Sequence, residues 1–121
     1  MNFQVKAFST IRISVLNVAE SRDWYRALFN LEPMEDIENF ASFKISNTCF
    51  DISLADSKSP VSTGGSVGYW LVDNLDGVLE KVKLLGGKIY RGPLRVPEVE
   101  RTIVQIQDPF GSIIGFEAPL Q

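Results

Sequence analysis

Histidine is absent from this chain of 121 residues, and there is one cysteine, Cys49. Nucleophilic catalysis of the Ser-His-Asp or Cys-His kind therefore has no imidazole base within the chain. Cys49 has no evident activating base or helix N-terminus beside it and reads as a small inward-facing residue. The pairs Gly64-Gly65 and Gly86-Gly87 stand outside any phosphate-loop context. Among the chain's carboxylates, Asp51 and Glu117 are one pair that could do acid/base work. Brought face to face, they could act as the base of an isomerase or lyase that uses no metal.

The elements that would position these residues are written twice. Residues 10–30, TIRISVLNVAESRDWYRALFN, read as strand, capped helix and helix stop, and residues 67–86, VGYWLVDNLDGVLEKVKLLG, repeat the pattern. Repeats of this kind fix an architecture before any single residue does. In the first copy, Ile11, Ile13 and Val15 alternate with Thr10, Arg12 and Ser14 along a strand expected over Thr10–Leu16. Asn17 stands at an N-cap with Glu20 three residues on. The helix then carries a stripe of Trp24, Leu28 and Leu31 with Tyr25 and Phe29 beside it, and Asn30 suits a left-handed stop. In the second copy Gly68, Trp70 and Val72 take the inner positions. Asp73 or Asn74 caps a helix whose apolar face is Leu75, Val78, Leu79, Val82 and Leu85, and Gly86-Gly87 ends it.

Each copy is followed by shorter strand-like runs. Ala41–Ile45 and Cys49–Leu54 flank a turn at Ser46–Thr48. Thr102–Gln107 and Ser112–Glu117 flank Asp108-Pro109-Phe110-Gly111, which has the residues of a type I turn. Strands near Glu35–Asn39 and Lys88–Tyr90 would complete two four-stranded sheets, while Pro93 and Pro97 put a loop at about Gly92–Arg101. Ala55–Ser66 is a polar Ser/Gly/Pro linker. The expected fold is α+β: one domain over residues 1–121, made of tandem βαβββ modules at about 8–56 and 66–121, forming an incomplete barrel around a concave cleft.

Composition narrows the function. A net charge of −3 without clustered Lys and Arg argues against nucleic acid. No run approaches the ~20 apolar residues of a membrane span, and the N-terminus shows no secretory h-region. With a single cysteine, a reducing, cytoplasmic setting is expected. Alternation places Arg12, Ser14, Asp51, Tyr69, Gln105 and Glu117 on the strand faces turned away from the helices. A concave surface of that kind is where organic ligands bind, and Tyr69 could stack on a planar or cationic one. Trp70 falls on the opposite face, in the core.

The run Asn17-Val18-Ala19-Glu20-Ser21, Trp24-Tyr25, Asn30-Leu31, then Tyr69 to Asp76, Gly86-Gly87, Gly92-Pro93 and Asp108 to Gly111 resembles the vicinal oxygen chelate superfamily. That superfamily includes glyoxalase I, extradiol dioxygenases, and fosfomycin- and bleomycin-resistance proteins. The resemblance covers nearly the whole chain and implies paired βαβββ modules assembled as a homodimer. It also implies metal ligands, usually His and Glu, at the positions occupied here by Thr10, Asp51, Val67 (or Ser66) and Gly115. Only Asp51 among these is a strong donor, whereas a catalytic ion needs about three protein ligands. The expectation is a member with neither metal nor cofactor, resembling the bleomycin-resistance proteins and binding a small organic ligand. The alternative is the isomerase or lyase using Asp51 or Glu117. Carrying glyoxalase chemistry over from the fold alone would be analogy.

Overall fold

In the computed structural model, which describes residues 2–61 and 65–120, the chain forms β1 (Thr10–Val15), α1 (Val18–Phe29), β2 (Glu35–Ile37), β3 (Phe40–Ile45) and β4 (Thr48–Leu54). It then forms β5 (Tyr69–Leu71), α2 (Leu75–Leu84), β6 (Lys88–Val96), β7 (Arg101–Gln107) and β8 (Ile113–Pro119). These are two βαβββ modules. Each builds a four-stranded mixed sheet, in the orders β1-β4-β3-β2 and β5-β8-β7-β6. In each module the first strand runs parallel to the last, and the other pairs are antiparallel.

The helix boundaries follow from caps. Asn17 is extended and its side chain accepts from the Glu20 N–H at 3.0 Å. Asn74, rather than Asp73, does the same for the Gly77 N–H at 3.0 Å. Each satisfies an amide that the first helical turn leaves without a partner. Asn30 takes the left-handed conformation, φ 54° and ψ 46°, and ends α1 at Phe29. Leu31 therefore leaves the helical stripe and stands exposed, contrary to the expectation from spacing.

One face of each sheet is covered by its helix. Ala41, Phe43, Phe50 and Ile52 are fully buried on the first sheet, and register sets them opposite one another as Ala41–Ile52 and Phe43–Phe50. Val104, Ile106, Ile114 and Phe116 do the same in the second sheet. The two modules are joined beneath and between the helices. Trp70 meets the rings of Phe29 and Phe50 edge-on, at 5.9 and 5.8 Å. The Trp24 indole N–H donates to the Leu85 carbonyl at 2.7 Å, and the Tyr25 hydroxyl donates to Asp108 at 2.5 Å. Trp70 lies in the core, as its alternation with Tyr69 predicts, though it is half-buried rather than sealed.

The expected loop at Gly92–Arg101 is mostly strand. β6 continues through Pro93 to Val96, with register shifts between Ile89 and Arg91 and between Arg91 and Leu94, and only Pro97–Val99 turns as a short 3-10 helix. The reason is position. β6 is the outer strand of its sheet, where a proline without an N–H removes no ladder bond. β2 is correspondingly shorter than expected, closing at Ile37 before the turn at Asn39, where φ is 61°. The linker after β4 contains no strand or helix among its described residues, and its centre at 62–64 lies outside them.

Candidate functional site

On the helix-free face of the first sheet, three neighbouring strands present one polar chain of contacts. β1 pairs with β4 so that Arg12 lies beside Asp51, and β4 pairs with β3 so that Asp51 lies beside Ser42. Arg12 Nη2 donates to Asp51 Oδ2 at 3.1 Å, and the Ser42 hydroxyl donates to Asp51 Oδ1 at 2.7 Å. The Arg12 guanidinium also rests 5.8 Å from the centre of the Phe40 ring, a favourable place for a cation. The two charges differ in exposure: the Arg12 side chain is 58% exposed and that of Asp51 9%. A carboxylate so buried requires both of these partners, since an unpaired one would be expensive to desolvate. Ser42 was not among the sequence candidates. Its position between Ala41 and Phe43 on an alternating strand is the signal that would have found it.

On the second sheet, Tyr69 lies beside Gly115 and Gly115 beside Gln105. The Tyr69 ring crosses over Gly115 to accept a hydrogen bond from Gln105 Nε2 at 2.8 Å. A Cβ on residue 115 would stand 2.4 Å from the ring, so only glycine leaves it room. Glu117 lies one register step further along the same face, half-exposed, with the Arg101 guanidinium 3.9 Å from its carboxylate. Asp51 and Glu117 thus sit in different sheets, each beside its own arginine, and no hydrogen bond or ion pair between them occurs among the described residues. Cys49 is half-exposed on the helix-free face of β4.

Between the sheets, β1 and β5 are both edge strands, and the segment just before β5 comes up against β1 at one point. Ile11 packs on Gly68, where a Cβ would come within 2.6 Å of the Ile11 side chain. Beside that contact opens a cavity of about 290 Å³, walled by Arg12 and Ser14 from β1, by Pro60 and Ser66–Gly68 from the connection, and by Ser112–Ile114 at the start of β8. Hollows elsewhere, such as that beside Asn17 and Asp36, are more open to solvent. Of the six residues predicted to contact a ligand, Arg12 and Ser14 line this cavity. Asp51 stands behind Arg12. Tyr69, Gln105 and Glu117 form a separate group on the second sheet.

A second buried acid, Asp108, belongs to the framework. Its Oδ1 accepts from the backbone N–H groups of Phe110 and Ser112, closing the β7–β8 turn, while Oδ2 takes the Tyr25 hydroxyl. Burial pushes its carboxyl above the ordinary value of 3.8, against the pull of these hydrogen bonds in the other direction. Burial, together with the neighbouring carboxylate, holds the Tyr25 phenol well above its own ordinary value.

Comparison with known proteins accords with this geometry. The family profile of the Glyoxalase/Bleomycin resistance protein/Dioxygenase superfamily matches residues 7–116. The chain belongs to that superfamily. Among solved structures it is similar to a glyoxalase/bleomycin resistance protein from Albidiferax ferrireducens, at 18% identity over 92% of this chain and 98% of that one, with a TM-score of 0.76. A family enzyme from Burkholderia phytofirmans is 14% identical over 93% and 98% of the two chains, with a TM-score of 0.78. An antibiotic-binding protein from a Streptomyces species is 17% identical over 98% and 99%, with a TM-score of 0.76. Identities this low carry the fold alone. Among curated proteins none matches the chain.

The resemblance implies metal ligands at the positions of Thr10, Asp51, Val67 (or Ser66) and Gly115. Val67 and Gly115 carry no side-chain donor, and the Tyr69 ring fills the space a longer side chain at 115 would need. Both oxygens of Asp51 are engaged by Arg12 and Ser42. No group of three or more His, Cys, Asp or Glu side chains with metal-binding geometry occurs among the described residues.

Proposed function

We propose that this protein is a metal-free binding protein for a small organic molecule, held in the cavity where the first strands of the two modules meet. The observation that carries the reading is the cavity itself. It lies between the edge of β1, the segment leading into β5 and the start of β8, and its lining combines isoleucine and valine residues with the polar residues Arg12, Ser14 and Ser66. That combination is the usual composition of a ligand site. Its volume of about 290 Å³ is at the small end of the ~300–1,000 Å³ range of such sites. It suits a metabolite-sized compound, or one end of a larger one whose remainder lies along the face bearing Tyr69, Gln105 and Glu117. The antibiotic-binding protein of the same fold is a precedent for small-molecule binding by this fold.

Asp51 serves this reading by holding Arg12 in place. A thermal-shift screen of small organic compounds, with native mass spectrometry for co-purified molecules, tests it. Ligands are expected to raise the melting temperature of the native protein and to lose that effect in Ser14→Trp, whose side chain would fill the cavity. Ligands that stabilise both proteins equally would place binding elsewhere. A screen with no stabilising compound would remove the binding reading.

A further inference from the structure

We infer that the junction cavity selects a carboxylate, received by the Arg12 guanidinium; the inference rests on the small-molecule reading above and adds the chemical class of the ligand. Among the described residues that line the cavity, Arg12 is the one with a charged side chain, and no acid faces the space. An amine entering it would meet a guanidinium and no counter-charge.

Arg12 is built as a receptor. Its fork is fixed from behind by Asp51 and from one side by the Phe40 ring, and Asp51 is in turn held by Ser42. A guanidinium carries five N–H donors in one plane. Among the described residues, one bond, to Asp51, is made by this guanidinium, while the side chain stays more than half exposed. The remaining donors are thus left free on a fork already held in place, which spares a ligand the entropy of ordering a long side chain. Paired N–H groups in that plane match the two oxygens of a carboxylate.

The neighbouring backbone and side chains supply further polar groups. β1 bonds to β4 through alternate residues, with the Ser9 and Val15 carbonyls accepting from Cys49 and Ala55. Alternation then turns the peptide groups of Arg12 and Ser14 to the free edge of β1, along which the cavity runs. Each of these residues turns a carbonyl to that edge as well as an N–H, so the donors that add to Arg12 for an oxyanion are the hydroxyls of Ser14 and Ser66.

The test uses matched probes: benzoate, benzamide and benzylamine, with butyrate, butyramide and butylamine as an aliphatic set. Each is titrated into 15N-labelled protein while the backbone amides of Ser66, Val67 and Gly68 are followed. The two carboxylates are expected to shift these amides and to bind about tenfold or more tightly than their amides and amines. Removing Arg12 alone would strand a buried carboxylate, so the test variant is the double substitution Arg12→Gln with Asp51→Asn, with Arg12→Lys beside it. The double variant should lose the carboxylate preference, and Arg12→Lys should retain only part of it. Equal or tighter binding of the amides or amines at these same positions would overturn the inference and leave the small-molecule reading standing. So would carboxylate affinity unchanged in the folded double variant. Absence of any shift at residues 66–68 with every probe, and with the compounds of the thermal-shift screen, would overturn both.

Discussion

Arg12 and Asp51 form one ion pair whose members have opposite duties, and the difference is exposure. Asp51 is buried beside Arg12 and Ser42 with both oxygens occupied, so its removal should be felt as stability rather than as lost ligand contact. Asp51→Ala leaves the half-exposed Arg12 and the buried Ser42 without their acceptor, and should cost about 1–3 kcal/mol in urea unfolding. A cost under ~0.5 kcal/mol would show that the carboxylate is not integrated as described. Asp108 makes a prediction with a sign in pH. Its folded-state pKa is raised by burial above the ordinary 3.8. Its contribution to stability is therefore fully present below the unfolded pKa and is lost as pH rises through the folded one. Asp108→Asn removes that titration while keeping an acceptor for the turn. The stability of the native protein relative to the variant should improve between pH 7 and pH 4, measured by urea denaturation at both. The opposite trend would mean that the hydrogen bonds outweigh the burial.

At the scale of elements, the decisive feature is how each module's first strand lies against its last. Gly115 exists in β8 because the Tyr69 ring from β5 needs its place. Gly115→Ala should destabilise by about 1–3 kcal/mol and break the Tyr69–Gln105 hydrogen bond, visible as a changed tyrosine environment in near-ultraviolet circular dichroism. Trp70, one residue on, points to the other side and joins the aromatic cluster of Phe29 and Phe50. Because it is half-buried, Trp70→Ala should cost about 3 kcal/mol, the low end for removing a core tryptophan. A loss below ~1 kcal/mol would require the strand to be shifted by one residue, which turns every side chain to the other face.

For the molecule as a whole, the question is what covers the helix-free faces. Ile37, Leu71 and Leu94 stand exposed there, and the segment before β1 holds Phe3, Val5 and Phe8 at 81%, 86% and 82% exposure. The outer edges are already blunted, β2 by its three-residue length and β6 by Pro93 and its register shifts, so growth from edge to edge is discouraged. A second copy packed over the exposed apolar side chains is the assembly we expect. Light scattering at micromolar concentration should give twice the chain mass of 13.5 kDa, and deletion of residues 2–8 should shift it toward the monomer. A monomer for the full chain would contradict this. Elemental analysis of the tag-free protein should find far less than one Zn, Ni, Mn or Fe per chain, and near-unit occupancy of any of them would contradict the metal-free reading.

Much of the fold was legible in the chain because its determinants are local. Alternation along β1 and β4, the caps at Asn17 and Asn74, the stop at Asn30 and the turn at Asp108–Gly111 each depend on residues within a few positions of one another. The paired modules and the core position of Trp70 follow from those patterns. The site was legible only as a face. Period two shows that Arg12, Asp51 and Tyr69 turn away from the helices, but not which of them meet, because pairing is set by strand order and register across 39 residues for Arg12 and Asp51. In the sequence Pro93 reads as a loop residue, because its cost depends on whether the strand is inner or outer, a property of the sheet and not of the residue. The cavity belongs to no segment at all. It arises where the edge of β1 faces the connection into the second module and the start of β8, and only the packing of one module against the other creates that gap.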